Sequence, residues 1–127
     1  NFDRLQTPYT PNILAVYLLK RLLENLENVK GISERVSRRA ADIYRFLENS
    51  EAGHPLIQNP AVRSATVVAV SCGSVKRLHH YLSEHDVIMG KGYGLWKDST
   101  YRIANFPAIS DADFAVLFNL LRNFADQ

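Results

Sequence analysis

The sequence predicts an α/β domain of the α+β kind: a small, mostly antiparallel sheet with helices on one face. Three observations carry that expectation. Segments of helical and strand period follow one another in the order helix, helix, strand, helix, strand, strand, helix. Ser64 to Val70 is rich in β-formers and nearly continuous, as a buried strand should be. Thr100 to Phe106 alternates, placing Tyr101, Ile103 and Asn105 on one face and Arg102, Ala104 and Phe106 on the other. One face of the sheet then takes the helices, and the arginine-bearing face is left for something else to cover.

At 127 residues the chain is long enough for one domain with a real core. Its formal net charge of +2 argues for neither nucleic acid nor a membrane surface as partner. No run is long enough to span a bilayer, and no signal-peptide pattern is present. A single cysteine, Cys72, excludes an internal disulfide and fits a reducing cytoplasm. The chain begins at Asn1 without a methionine and reads as a fragment or a processed product.

Taken in order, Phe2 to Tyr9 is an extended lead-in. Thr10-Pro11 signals a helix start, with threonine as N-cap and proline in the first turn, where its missing N–H costs nothing. The helix should run to about Asn28 and stop before Gly31. Its first half, Ile13 to Leu19, is apolar all round, the mark of a helix buried on every side. A domain this small cannot wrap such a helix, so another domain or subunit is expected to cover it. Residues 1–30 thus read as a lead-in and packing helix, and residues 31–127 as the small domain proper.

Ser33 can cap a second helix to about Asn49, with Val36, Ala40, Ile43, Tyr44 and Leu47 inward. Arg35, Arg38, Arg39 and Arg45 lie mostly off that stripe and read as a solvated face, with a basic patch as the alternative. A two-proline loop spans Glu51 to Pro60. After the buried strand, Ser74 can cap a third helix with Val75, Leu78, Tyr81 and Leu82 inward, ending near His85. Val87 to Met89 is a short strand. The last helix has the clearest start: Ser110 and Asp113 form a capping-box-like pair, and Phe114, Leu117, Phe118, Leu121 and Phe124 make its core stripe.

The spacing of His54, His79, His80 and His85 matches no metal signature. No histidine is locally placed to activate Cys72. Two places can hold an anion. One is the glycine loop Gly90-Lys-Gly-Tyr-Gly94, which leads into the strand bearing Arg102. Its guanidinium, beside the small Ala104, matches a carboxylate in a two-bond geometry; a structural ion pair is the alternative. Lys91, within that loop, and Lys97, just after it, could add to the anion site or be solvated lysines. The other place is Thr10, where free N–H groups and the helix dipole favour a phosphate; a simple N-cap is the alternative. No catalytic group stands between the two.

These stretches also carry a resemblance. Thr7-Pro-Tyr-Thr-Pro-Asn12 before a long apolar helix, and Tyr101-Arg-Ile-Ala-Asn-Phe-Pro-Ala108 with Ser110, resemble the carboxyl-terminal part of class V, fold type I pyridoxal-phosphate aminotransferases. Arg63-Ser64 also fits. The phosphoserine aminotransferase branch is the most similar. The resemblance implies the small carboxyl-terminal domain of a cytoplasmic, homodimeric enzyme. That enzyme would move an amino group between glutamate and 3-phosphohydroxypyruvate in serine biosynthesis. It implies that Arg102 binds the substrate α-carboxylate and that Thr10 reaches the phosphate of pyridoxal 5'-phosphate across the dimer. The Schiff-base lysine would lie in a preceding large domain, so this chain alone should be inactive. Typical members carry a phosphate-binding His-Arg where this chain has Tyr93-Gly94, which leaves Lys91 and Lys97 as the cations of the loop. The alternatives are another class V aminotransferase, acting on alanine or serine with glyoxylate or pyruvate, and a non-catalytic α/β module binding a carboxylate or a partner protein.

Overall fold

The computed structural model describes residues 9–125. The lead-in expected over Phe2 to Tyr9 therefore lies outside the described residues, Tyr9 apart. The chain divides into two compact units, Asn1–Gly31 and Ile32–Gln127.

The first unit holds helix α1, Ile13–Asn25. The expected Thr10 cap is corrected here. Asn12 is the N-cap, its Oδ1 accepting from the Ala15 N–H at 3.0 Å, and the first helical bond runs from Val16 N to Asn12 O at 3.1 Å. Pro11 precedes the cap instead of opening the helix, and Thr10 stands two residues outside it. The helix ends at Asn25, short of the expected Asn28. Asn28 instead caps the next helix, accepting from the Gly31 N–H at 2.8 Å. Gly31 is thus inside the first turn of α2, Val29–Glu48, and stops nothing. No residue of α1 is buried: Ile13, Val16 and Tyr17 are 67%, 59% and 56% exposed. A contiguous apolar surface of this kind is rare on a free-standing molecule.

The second unit is an α/β domain built on a four-stranded antiparallel sheet in the order β1-β2-β4-β3. Its strands are β1 His54–Pro55, β2 Val67–Ser71, β3 Gly90–Lys91 and β4 Thr100–Ala104. The central pair is in register with Val68 opposite Ile103 and Val70 opposite Tyr101. These four side chains are buried, and they meet Ile43 and Leu47 of α2, Leu78 and Leu82 of α3 (Val75–Ser83), and Phe114, Leu117, Leu121 and Phe124 of α4 (Asp111–Ala125). All three helices therefore lie on one face. Burying each such side chain stabilises the fold by about 1.5–3 kcal/mol. The other face carries Val67, Ala69, Arg102 and Ala104, none of them buried.

Two buried side-chain donors in this core are met by carbonyls. The Tyr101 hydroxyl donates to Ala52 O at 3.2 Å, and burial raises its pKa far above the ordinary phenol value, so it remains a donor at any working pH. Asn105 is fully buried. Its Nδ2 donates to Val36 O and Ala65 O, both at 2.8 Å, and so fastens the end of β4 to α2.

The short elements of this unit also differ from expectation. The strand expected over Val87–Met89 is displaced to Gly90–Lys91: Asp86 turns the chain out of α3 with a left-handed φ of 58°, Met89 enters the core, and Ile88 is left exposed. Ser74 occupies the cap position of α3 but makes no side-chain capping bond. The short strand β1 inside the proline loop was not expected. It pairs only two residues, His54 with Ser71 and Pro55 with Val70, and has no period to read.

The capping box of α4 is formed. Asp113 N donates to Ser110 Oγ at 3.1 Å, and Asp113 Oδ2 accepts from Ser110 Oγ at 2.7 Å and Ser110 N at 3.1 Å. The Ser110 hydroxyl, then its amide, hold the Asp113 carboxyl below its ordinary pKa. A lowered folded-state pKa gives stability that is present above the unfolded value and is lost as pH falls through the folded one. Asp113→Asn should therefore flatten part of the acid limb of a plot of Tm against pH and change least at the acid end. An unchanged acid limb would mean that the box contributes nothing.

Candidate functional site

Arg102 sits at the centre of the open face. It pairs with Ala69 on β2 and with Gly90 on β3, so its stem leaves the sheet between two small residues. Its Nε donates to the backbone carbonyl of Lys91 at 2.8 Å. Among the described residues no acceptor or carboxylate meets its two terminal nitrogens, and the side chain is exposed. The structural ion pair that the sequence left open is thus absent among the described residues. A planar charged fork faces outward, matched in shape to a carboxylate.

The loop from Lys91 to Thr100 is closed by contacts across Gly92. Gly92 N donates to Thr100 O at 3.0 Å, and the buried Thr100 hydroxyl donates to Trp96 O at 2.8 Å. A Cβ on Gly92 would fall 2.2 Å from Thr100 Oγ1 and 2.3 Å from Trp96 O, so only glycine permits this closure. A short 3-10 turn, Gly94–Trp96, forms the loop tip and leaves Tyr93, Leu95 and Trp96 exposed.

The sequence-predicted site residues are not all brought together. Lys91 lies opposite Tyr101, and residues directly opposed in a ladder share a face. Its side chain is therefore directed to the helix side, away from that of Arg102. There, after desolvation, its charge is the second cause of the lowered pKa of His79. What Lys91 gives Arg102 is its carbonyl. Lys97 is exposed and ends the turn at the loop tip. Thr10 belongs to the first unit and is exposed at the approach to α1. Arg63 serves the scaffold: it stacks 4.7 Å from the Tyr44 ring and bonds Glu48 Oε1 at 2.6 Å and Ile57 O at 3.0 Å.

Sequence reasoning missed Arg39, placed on a solvated face but only 5% exposed. Its Nη1 donates to Ile109 O and its Nη2 to Phe106 O, the latter at 3.0 Å. Its guanidinium lies 4.8 Å from the Phe114 ring centre and 3.4 Å from Asp111 Oδ1. It holds the turn that carries the chain from β4 to α4. Nothing in the sequence signals this, because its acceptors are backbone carbonyls, which every residue carries.

No family model matches this chain, and no curated protein matches it. Among solved structures it is similar to a phosphoserine aminotransferase from Cytophaga hutchinsonii, with a TM-score of 0.81 and 29% identity over 93% of this chain. The chain spans about a third (34%) of the length of that structure. The likeness extends to the fold and to a substantial share of the residues, and it supports an aminotransferase-like domain.

Proposed function

We propose that this chain is the carboxyl-terminal domain of a phosphoserine aminotransferase-like enzyme of class V. The full protein would be a pyridoxal-phosphate-dependent homodimer that transfers an amino group between glutamate and 3-phosphohydroxypyruvate. The observation that carries the reading is Arg102: an exposed guanidinium fork on the uncovered face of a sheet whose fold matches part of a phosphoserine aminotransferase. Its role is to bind and orient the substrate α-carboxylate. When bound, pyridoxal phosphate supplies the electron sink. Thr10 fits one contact to the phosphate of that group: its hydroxyl is exposed and meets no partner among the described residues. The exposed apolar surface of α1 supports a covering large domain in the full protein, with residues 1–30 as the packing segment and residues 31–127 as the small domain.

The loop tip favours a second reading. Tyr93, Leu95 and Trp96 are exposed there, and Lys97 is its one cation beside three apolar or aromatic side chains. Such a surface suits an unphosphorylated partner of the same class, with alanine or serine as amino donor. The deciding experiment is kcat/KM for phosphoserine, serine and alanine in the full-length protein, for wild type and Lys97→Ala. Losing one bond to a phosphate costs about 1.5–3 kcal/mol, so a phosphate-reading Lys97 should make the variant about tenfold to a hundredfold worse on phosphoserine alone. Equal loss on all three would remove Lys97 from that role. A wild type that prefers alanine or serine would replace the phosphoserine reading with the second.

A further inference from the structure

The contact between Arg102 Nε and the Lys91 carbonyl decides how the guanidinium can be used. A guanidinium pairs with a carboxylate either through Nε and one terminal nitrogen or through both terminal nitrogens. With Nε donating to Lys91 O at 2.8 Å, only the second way remains open. The stem reaches that carbonyl by lying across β3 at Gly90, its ladder partner. A Cβ placed on Gly90 would stand 3.3 Å from both Arg102 Cβ and Arg102 O, and 3.5 Å from Arg102 Nε. The first two distances are tight enough that β4 at Arg102 would have to give by a few tenths of an ångström, whereas the third is an ordinary contact.

We propose that Gly90 and the Lys91 carbonyl are positioning groups for Arg102: the absent side chain lets β3 lie close against β4 at Arg102, and the carbonyl so placed fixes the guanidinium with its two terminal nitrogens pointing outward together. The glycine loop then sets the direction from which a carboxylate must approach. This refinement rests on the carboxylate role of Arg102 proposed above.

Two measurements test it. In the 127-residue chain, the Arg102 Nε–H proton should give its own NMR resonance and exchange with water at least about tenfold more slowly than those of other exposed arginines. An Nε–H that exchanges as fast as theirs overturns the proposal, and this arm needs no variant. In the full-length protein loaded with pyridoxal phosphate, kcat/KM for glutamate is measured for wild type, Gly90→Ala, Arg102→Ala and the double variant. Moving β3 away from β4 weakens the bond from Nε to the Lys91 carbonyl, so Gly90→Ala should lower kcat/KM about threefold to tenfold when Arg102 is present and have no effect on it when the guanidinium is absent. An equal loss in both backgrounds would make Gly90 merely structural and overturn the positioning role. If Arg102→Ala alone changes nothing, the carboxylate role itself fails, and the functional half of this proposal falls with it.

Discussion

Arg102→Ala in the full-length protein is expected to lower kcat/KM for every amino-acid substrate by about 2–5 kcal/mol in transition-state binding, the range for removing one partner of a desolvated charge pair. The expectation follows from what the side chain does without a ligand. Its only bond among the described residues is from Nε to a backbone carbonyl, so little of the fold depends on it, and its loss should leave Tm nearly unchanged. Activity and stability should therefore separate. Arg102→Lys is expected to recover little, because an ammonium cannot reproduce a planar pair of donors and has no Nε–H for the Lys91 carbonyl. The loss should be the same for phosphorylated and unphosphorylated substrates, since all carry the α-carboxylate. A loss confined to one substrate would move Arg102 to the side-chain end of the site. Full activity in Arg102→Ala would leave the open face of the sheet without its proposed ligand.

Much of that face was legible from alternation alone. Tyr101, Ile103 and Asn105 point into the core and Arg102 points away, because a ladder buried on one side fixes every side chain by parity. The Ser110–Asp113 box was legible because both partners lie within one turn. What was not legible depends on competition or on distance. Thr10-Pro11 and Pro11-Asn12 are both sound helix starts, and only the bond from Ala15 N to Asn12 Oδ1 selects between them. The face of Lys91 could not be read before the register of a two-residue strand was known. The all-round apolar α1 was legible as a helix in need of a cover, and its side chains do stand exposed in this chain.

Arg39 is the clearest case of distance, and the second large effect is expected there. Charged residues off an apolar stripe usually face water. Arg39 does not, because its acceptors, Phe106 O and Ile109 O, come from a turn 67 and 70 residues further along the chain. Removing it strands both carbonyls against the core and deprives Asp111 of one of its two arginines, leaving Arg38 at 3.3 Å. It also uncovers the face of Phe114. Arg39→Ala should therefore destabilise the chain by about 3–5 kcal/mol, from the loss of two hydrogen bonds of a charged donor at about 1.5–3 kcal/mol each, whereas Arg38→Ala, at an exposed pair, should cost at most about 1 kcal/mol. Arg39→Lys should fall between them, since one ammonium can reach one carbonyl but cannot span both with fixed geometry. Denaturant midpoints for the three variants, read at constant m-value, check this order. Equal, small losses at positions 38 and 39 would mean that the turn from β4 to α4 is held by Asn105 and the Ser110 box, without the arginine.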